Sequence, residues 1–286
     1  MSLEITTYRD AAAFLQHTQA ELESSEPANS LMLGICARLV RYPERIETAP
    51  CLKTVHDGDG LVLAATMTPP HNLVVYGHRG DLDAAAQALA AELLREGWSI
   101  PGVLGPAEAA RLLVERLGEA GGWSHWLRTR ERVYELRAVQ TPVPGRGRLR
   151  PVVTAEARLA ARWWHEFSRE IQQEADPAMV ERMARLRVAD GDLYFWDDGQ
   201  PVSMACRTRP TKNGISIGPV YTPPQMRQRG YAAACVAELS RLLLASGLNF
   251  CALFANRANP VAVHVYEHIG YRPVCDYDDY VFDKRG

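Results

Sequence analysis

Apolar residues recur every four positions at Leu159, Trp163, Phe167 and Ile171, which predicts an amphipathic helix with one face turned to a core. Leu149 to Val153 reads as a short strand before it, with Thr154 as the helix cap. Asp176-Pro177 has the form of an N-cap and first-turn proline, and Met179, Met183 and Leu186 fall on one face of the helix that follows. Leu193 to Trp196, Val202 to Arg207 and Ile215 to Thr222 read as strands, with turns at Asp197 to Gly199 and at Lys212 to Gly214. Gly230 to Ser246 is a long amphipathic segment with Gly247 in the place of a helix stop. A strand from Asn249 to Ala255, a helix begun by Asn259-Pro260 and ended by Gly270, and two short strands after Tyr271 complete the order. The pattern is that of an α/β class, with a mixed (α+β) sheet covered by helices.

The first half carries a related order. Asp57-Gly58 and the apolar run through Ala64-Ala65 parallel Asp198-Gly199 and Ser203-Met204-Ala205. Thr68-Pro69-Pro70 matches Thr222-Pro223-Pro224, Glu115-Arg116-Leu117-Gly118 matches Glu267-His268-Ile269-Gly270, and Tyr134-Glu135-Leu136 matches Tyr280-Val281-Phe282. Shared order, at offsets from about 140 to 155 residues that imply small insertions, indicates a duplication. The Pro- and Gly-rich stretch 141–147 reads as a linker, which gives domains at 1–140 and 148–286.

Composition changes this picture little. At 286 residues the chain is long enough for two cores, and a net charge of −2 gives no field toward nucleic acid or membrane. The first ten residues lack a signal-peptide pattern, and no apolar run is long enough to span a bilayer. The six cysteines form no CxxC pair and no Cys/His cluster at metal spacing, so the chain reads as cytoplasmic and without a metal.

The chemistry concentrates at Val220-Tyr221-Thr222-Pro223-Pro224-Gln225-Met226-Arg227-Gln228-Arg229-Gly230-Tyr231-Ala232. A strand ends, prolines break its ladder, and a basic turn runs straight into a helix. The first amides of a helix have no partner within it and carry the positive end of its dipole. They form an anion site suited to a pyrophosphate, and Gly230 and Ala232 keep it free of bulk.

The hexapeptide Arg227-Gln-Arg-Gly230-Tyr-Ala232 resembles the Arg/Gln-x-x-Gly-x-Gly/Ala signature of the GNAT superfamily of N-acetyltransferases, and Asn259-Pro260-x-Ala262-x-x-x-Tyr266-x-x-x-Gly270-Tyr271 resembles that family's second block. The resemblance implies two tandem GNAT-like domains, each a twisted, mostly antiparallel sheet flanked by helices. It implies that Arg227, Gln228, Arg229, Gly230, Tyr231 and Ala232 hold the pyrophosphate of acetyl-CoA. Val220, Tyr221 and Thr222 would meet the pantetheine arm, with Asn259 beside it, and Tyr266 would be the general acid. A phenol of pKa ~10 stays protonated at neutral pH and can donate to a departing thiolate, whose conjugate acid has pKa ~8.5.

Acetyl transfer to the primary amine of a small molecule is the expected reaction. A protein N-acetyltransferase acting on lysine or an N-terminus, and a CoA-binding regulatory module without turnover, are the alternatives. The strand from Gly214 to Thr222 carries no carboxylate, so the base that takes the amine proton is open among water, Glu166, Glu170 or Glu174, and Asp276, Asp278 or Asp279. Trp163-Trp164 reads as core packing, with the wall of an acceptor pocket as the alternative, and His165, His264 and His268 as surface or satisfied histidines. Monomer and homodimer both remain open. In the first half the matching turn, Tyr76-Gly77-His78-Arg79-Gly80-Asp81-Leu82, lacks the signature spacing, and Val114 stands at the offset of Tyr266. That copy is expected to be non-catalytic, supporting the second and helping to wall the acceptor cleft.

Overall fold

The computed structural model describes residues 3–140, 146–171 and 176–283. Its contacts divide the chain into two compact units, one of Met1–Val133, Ala255–Ala258 and Pro273–Gly286, the other of Tyr134–Phe254 and Asn259–Arg272. Both halves of the sequence run through the same order: strand, two helices, three strands, helix, strand, helix, strand. In the first half these are β1 (Glu4–Thr7), α1 (Ala11–Ser24), α2 (Ser30–Arg41), β2 (Cys51–Asp57), β3 (Gly60–Met67), β4 (Leu73–Tyr76), α3 (Leu82–Arg95), β5 (Gly102–Pro106), α4 (Ala107–Gly121) and β6 (Ser124–Leu136). In the second they are β7 (Arg148–Pro151), α5 (Ala157–Glu170), α6 (Pro177–Ala189), β8 (Leu193–Asp197), β9 (Pro201–Thr208), β10 (Gly214–Tyr221), α7 (Tyr231–Ala245), β11 (Phe250–Asn256), α8 (Pro260–Ile269) and β12 (Arg272–Asp283). The fold is mixed α/β, as the patterning implied, and its strands are mostly antiparallel, as the resemblance implied.

The first unit's sheet has the order β1-β2-β3-β4-β5-β12-β6. β4 is apolar throughout and β3 nearly so, because both faces are covered there. Leu73 and Val75 of β4 pack into one core with Leu89 and Leu93 of α3 and Leu113 of α4. Val74 and Tyr76, on the opposite face, pack with Phe14 of α1 and Met32 of α2. In the second unit the order is β11-β10-β9-β8-β7, antiparallel from β7 to β10 and parallel between β10 and β11. Trp163 of α5 packs there with Phe195 of β8, Met204 and Cys206 of β9, and Tyr221 of β10.

Four readings of the sequence are corrected. The stretch after Tyr271 forms one strand of 12 residues, not two short ones. That strand belongs to the first unit, where Asp279 pairs with Leu104 and Val281 with Gly102 of β5. In turn, the end of the first half lies in the second unit, where Gln140 N donates to Ile269 O at 2.9 Å and Tyr134 Oη to Glu267 Oε1 at 3.2 Å. The units are therefore not the contiguous spans 1–140 and 148–286, and of the proposed linker only Arg146 and Gly147 fall within the described residues. Thr68-Pro69-Pro70 follows β3, whereas Thr222-Pro223-Pro224 follows β10, the counterpart of β4, so that match does not hold. On α6 the buried stripe is Val180, Ala184 and Val188, while Met179 and Leu186 are exposed. Both stripes have helical spacing, and the smaller Ala184 lies on the side turned inward.

Candidate active site

The parallel pairing of β10 with β11 stops at Ser216↔Ala252, although β10 continues to Tyr221 and β11 to Asn256. Two parallel strands that part in this way leave unmatched backbone groups along the far end of β10, where Val220 lies. The chain then passes Pro223 into a single 3-10 turn at Pro224–Met226 and reaches Arg227 in extended conformation. Gln228 and Gly230 both adopt positive φ, 62° and 78°, which turns the backbone sharply into α7. Glycine takes that conformation freely, whereas for Gln228 it is unusual.

No side chain caps α7. Its first intrahelical bond is from Ala234 N to Gly230 O at 3.0 Å, so the amides of Tyr231, Ala232 and Ala233 precede the ladder. Four helices, α1, α3, α6 and α8, have this position filled by a side chain, whereas α2, α4 and α5 do not. Asp176 Oδ1 accepts from Ala178 N on α6, and Asn259 Oδ1 accepts from Ala262 N at 3.1 Å on α8. α3 starts after β4 as α7 starts after β10. There Gly80 has φ 70°, close to Gly230, but Asp81 follows it and accepts from Ala84 N at 3.0 Å. Arg79 in the same turn is bound to Asp57 at 2.9 Å. A carboxylate thus holds the helix start in the first unit, while in the second no side chain among the described residues caps the amides.

The side chains of the α7 turn do not all point the same way. Arg227 donates through Nε to Thr222 O at 2.8 Å and pairs with Glu170 of α5. Its charge is therefore shared with a carboxylate and not given wholly to an anion at the helix start. Arg229 is exposed and, among the described residues, has no salt-bridge partner. Tyr231 donates to Asp198 Oδ2 at 2.8 Å, which ties the first turn of α7 to the β8–β9 turn. Thr222 Oγ1 and Ser203 Oγ lie 2.9 Å apart, and Ser203 also reaches the carbonyl of Tyr221. The Tyr221 ring turns toward α5, with its hydroxyl on Glu166 Oε2 at 3.0 Å, so the pantetheine contact implied for Tyr221 can come only from its backbone. Burial, and then Glu166, push the Tyr221 phenol up to about 12.

Tyr266 lies in the last turn of α8, half-buried, edge-on to Tyr271 with ring centroids 6.0 Å apart. Tyr271 in turn meets Ser240 of α7 at 2.9 Å, so α8 is keyed to α7 through these aromatics. The Tyr266 hydroxyl has no hydrogen-bond partner among the described residues, and burial pushes its pKa up to about 12. Aligned on their glycine caps, Gly270 on α8 and Gly122 on α4, the counterpart of Tyr266 is Gly118 and not Val114. Neither can donate a proton.

On the α5 side of β10 lies a cleft of about 780 Å³, lined by Arg162, Trp163, Glu166, Arg169 and Glu170 of α5, by Tyr221, and by the Pro223–Met226 turn among others. Every lining residue belongs to the second unit. Of the carboxylates considered as base, Glu166 and Glu170 line it, whereas Glu174 lies outside the described residues. Asp276, Asp278 and Asp279 sit on β12 in the first unit; Asp276 is bound by Arg132 and Arg257, and Asp279 by Arg128 and Asn72. Reading the sequence missed Arg162 and Arg169. Their spacing with Glu166 and Glu170 places all four along one side of α5, a signal that was present in the helical periodicity.

Residues 199–280 match the FR47-like protein family. The chain is 26% identical over 242 residues to the mycothiol acetyltransferase of Beutenbergia cavernae, covering 79% of this chain and 73% of that protein. Among solved structures it is similar to a tandem GNAT protein from the clavulanic acid biosynthesis pathway, solved without acetyl-CoA, at 15% identity and TM-score 0.55, covering 100% of this chain and 99% of the other. An acetyltransferase of the GNAT family from Colwellia psychrerythraea aligns with TM-score 0.59 at 12% identity, covering 98% of this chain and 100% of that one. Over these spans the chain is similar to acetyltransferases of the GNAT type, one of them a tandem GNAT protein, and its own duplicated element order and uncapped strand–turn–helix accord with that similarity.

Proposed function

We propose that the second unit binds acetyl-CoA and transfers its acetyl group to the primary amine of a small molecule. The observation that carries this reading is the start of α7. Its amides face no side-chain acceptor, beside a strand that has parted from its parallel neighbour, whereas the equivalent helix start in the first unit is held by Asp81. The amides of Tyr231, Ala232 and Ala233, with the exposed Arg229, fit a pyrophosphate. The unmatched backbone near Val220 fits the amides of a pantetheine arm, with Asn259 Nδ2 as a further donor, since only its Oδ1 is engaged in capping.

Acetyl-CoA supplies an acyl thioester. The amine nitrogen attacks the carbonyl, an N–C bond forms as the C–S bond breaks, and the thiolate takes a proton from Tyr266. Of the two protons that an ammonium substrate sheds, one restores the phenol and the other passes to solvent. With its pKa pushed up to about 12, Tyr266 holds its proton through neutral pH and is in its donor form when the thiolate leaves. The size of the cleft, about 780 Å³, supports a small acceptor over a protein chain. The partner-free Tyr266 hydroxyl supports turnover over a purely binding role. The first unit is read as a non-catalytic copy. All six cysteines are free thiols, which suits a reducing cytoplasm.

Isothermal titration with acetyl-CoA tests this reading. Saturable 1:1 binding that is lost in a folded Arg229→Glu/Gly230→Asp variant supports it, and no binding by the parent protein removes it.

A further inference from the structure

Four charged side chains on one side of α5 line the cleft, and their pairing is uneven. Glu166 stands four residues after Arg162 and three before Arg169, the spacing at which helix ion pairs form readily. Yet neither arginine has a salt-bridge partner among the described residues, and both are exposed. The carboxylates are engaged elsewhere: Glu170 by Arg227, and Glu166 through Oε2 by the Tyr221 hydroxyl. Oε1 of Glu166 has no partner among the described residues. The cleft therefore presents two guanidinium groups and one carboxylate oxygen, with Trp163 and Tyr221 as its aromatic wall.

Resting on the acetyl-transfer reading, we propose that the acceptor is an amine that also carries a carboxylate, an amino acid in the broad sense, whose carboxylate is received by Arg162 and Arg169 and whose amine is received by Glu166. A planar guanidinium matches a carboxylate in charge and in bidentate geometry. A neutral amine leaves both arginines unmet, and a polyamine is repelled by them. Glu166 Oε1 accepts from the ammonium and takes the proton that must leave before the nitrogen can attack. Tyr221 holds the other oxygen and so sets the direction of the carboxylate.

The test is steady-state acetylation of a panel of α-, β- and γ-amino acids, each beside its own amide, by the whole chain with saturating acetyl-CoA. At least one acid is expected to exceed its amide about tenfold or more in kcat/KM, the scale of one charge-assisted hydrogen bond. In Arg162→Gln/Arg169→Gln that preference disappears through a higher acceptor KM, while acetyl-CoA affinity by titration stays within about twofold. The single variants Arg162→Gln and Arg169→Gln serve if the double variant does not fold. Turnover of amides or other neutral amines in preference to acids, no turnover of any acid, or a preference that survives in the variants overturns the proposal while leaving acetyl-CoA binding intact. Absence of acetyl-CoA binding by the parent overturns the acetyl-transfer reading itself.

Discussion

The hydroxyl of Tyr221, at the end of β10, donates to Oε2 of Glu166 on α5 across 3.0 Å. A phenol held by burial and by a carboxylate is stabilised in its neutral, donating form. Tyr221→Phe removes a hydrogen bond to a charged acceptor and is expected to cost about 1–2 kcal/mol of unfolding free energy. A shift of the urea midpoint at unchanged slope reads this out, and an unshifted midpoint shows that the pair contributes nothing net.

The raised phenols also set a pH dependence. Tyr221 and Tyr266 both lie at about 12 in the fold, against about 10 in an unfolded chain. Below pH 10 both states are protonated and the stabilisation is whole. As pH rises from 10 toward 12 the unfolded chain ionises first, so stability falls across that window. Urea titrations between pH 8 and pH 11.5 are expected to show a loss beginning near pH 10. The loss should be smaller in Tyr221→Phe.

Tyr266→Phe is expected to lower kcat by about 100-fold or more, the usual contribution of a general acid. Acetyl-CoA affinity and thermal stability should change little, because the hydroxyl has no hydrogen-bond partner among the described residues to lose. Equal kcat in parent and variant would remove the acid from Tyr266.

Asp81 and Gly230 make a paired prediction. Gly230→Asp puts a carboxylate at the start of α7, where Asp81 stands on α3, and is expected to abolish acetyl-CoA binding in a folded protein. Asp81→Ala leaves binding unchanged and costs about 1 kcal/mol, the value of a helix cap. Titration and thermal unfolding of the two variants separate the effects. Acetyl-CoA bound by Gly230→Asp with parental affinity contradicts the assignment of this turn.

Truncation after Arg272 removes the strand beside β5, together with the buried Tyr277, Tyr280 and Phe282. Their burial is worth on the order of 5 kcal/mol, a large part of a domain's stability. The truncated chain is expected to melt at least about 10 °C lower or to aggregate, measured by scanning calorimetry. Retention of the parental transition would show that β12 is dispensable to the first unit.

Much of the molecule was legible because its signals are local. Asp176-Pro177 and Asn259-Pro260 start helices, and Gly270 ends one, through groups at most four residues apart. Gly230 before an alanine-rich turn marked the open helix start by the same short-range rule, whereas the cap that Asp81 places on α3 was not read from the sequence. The two faces of α6 were not separable in this way, since Met179 and Val180 each begin a stripe of correct period.

By itself, then, the sequence determined the element order, its duplication, and the turn that leaves the α7 amides free, all of which depend on backbone propensity and capping over a few residues. Tertiary structure decided the rest. It carried β12 into the first unit beside β5 and the Tyr134–Gln140 stretch into the second. It also turned Tyr221 toward Glu166, 55 positions earlier, and gave Glu170 to Arg227, 57 positions later, leaving Arg162 and Arg169 without carboxylate partners among the described residues. Strand partners and the meeting of side chains so far apart are chosen by how two faces of a sheet bury their apolar area, and no local pattern encodes that choice.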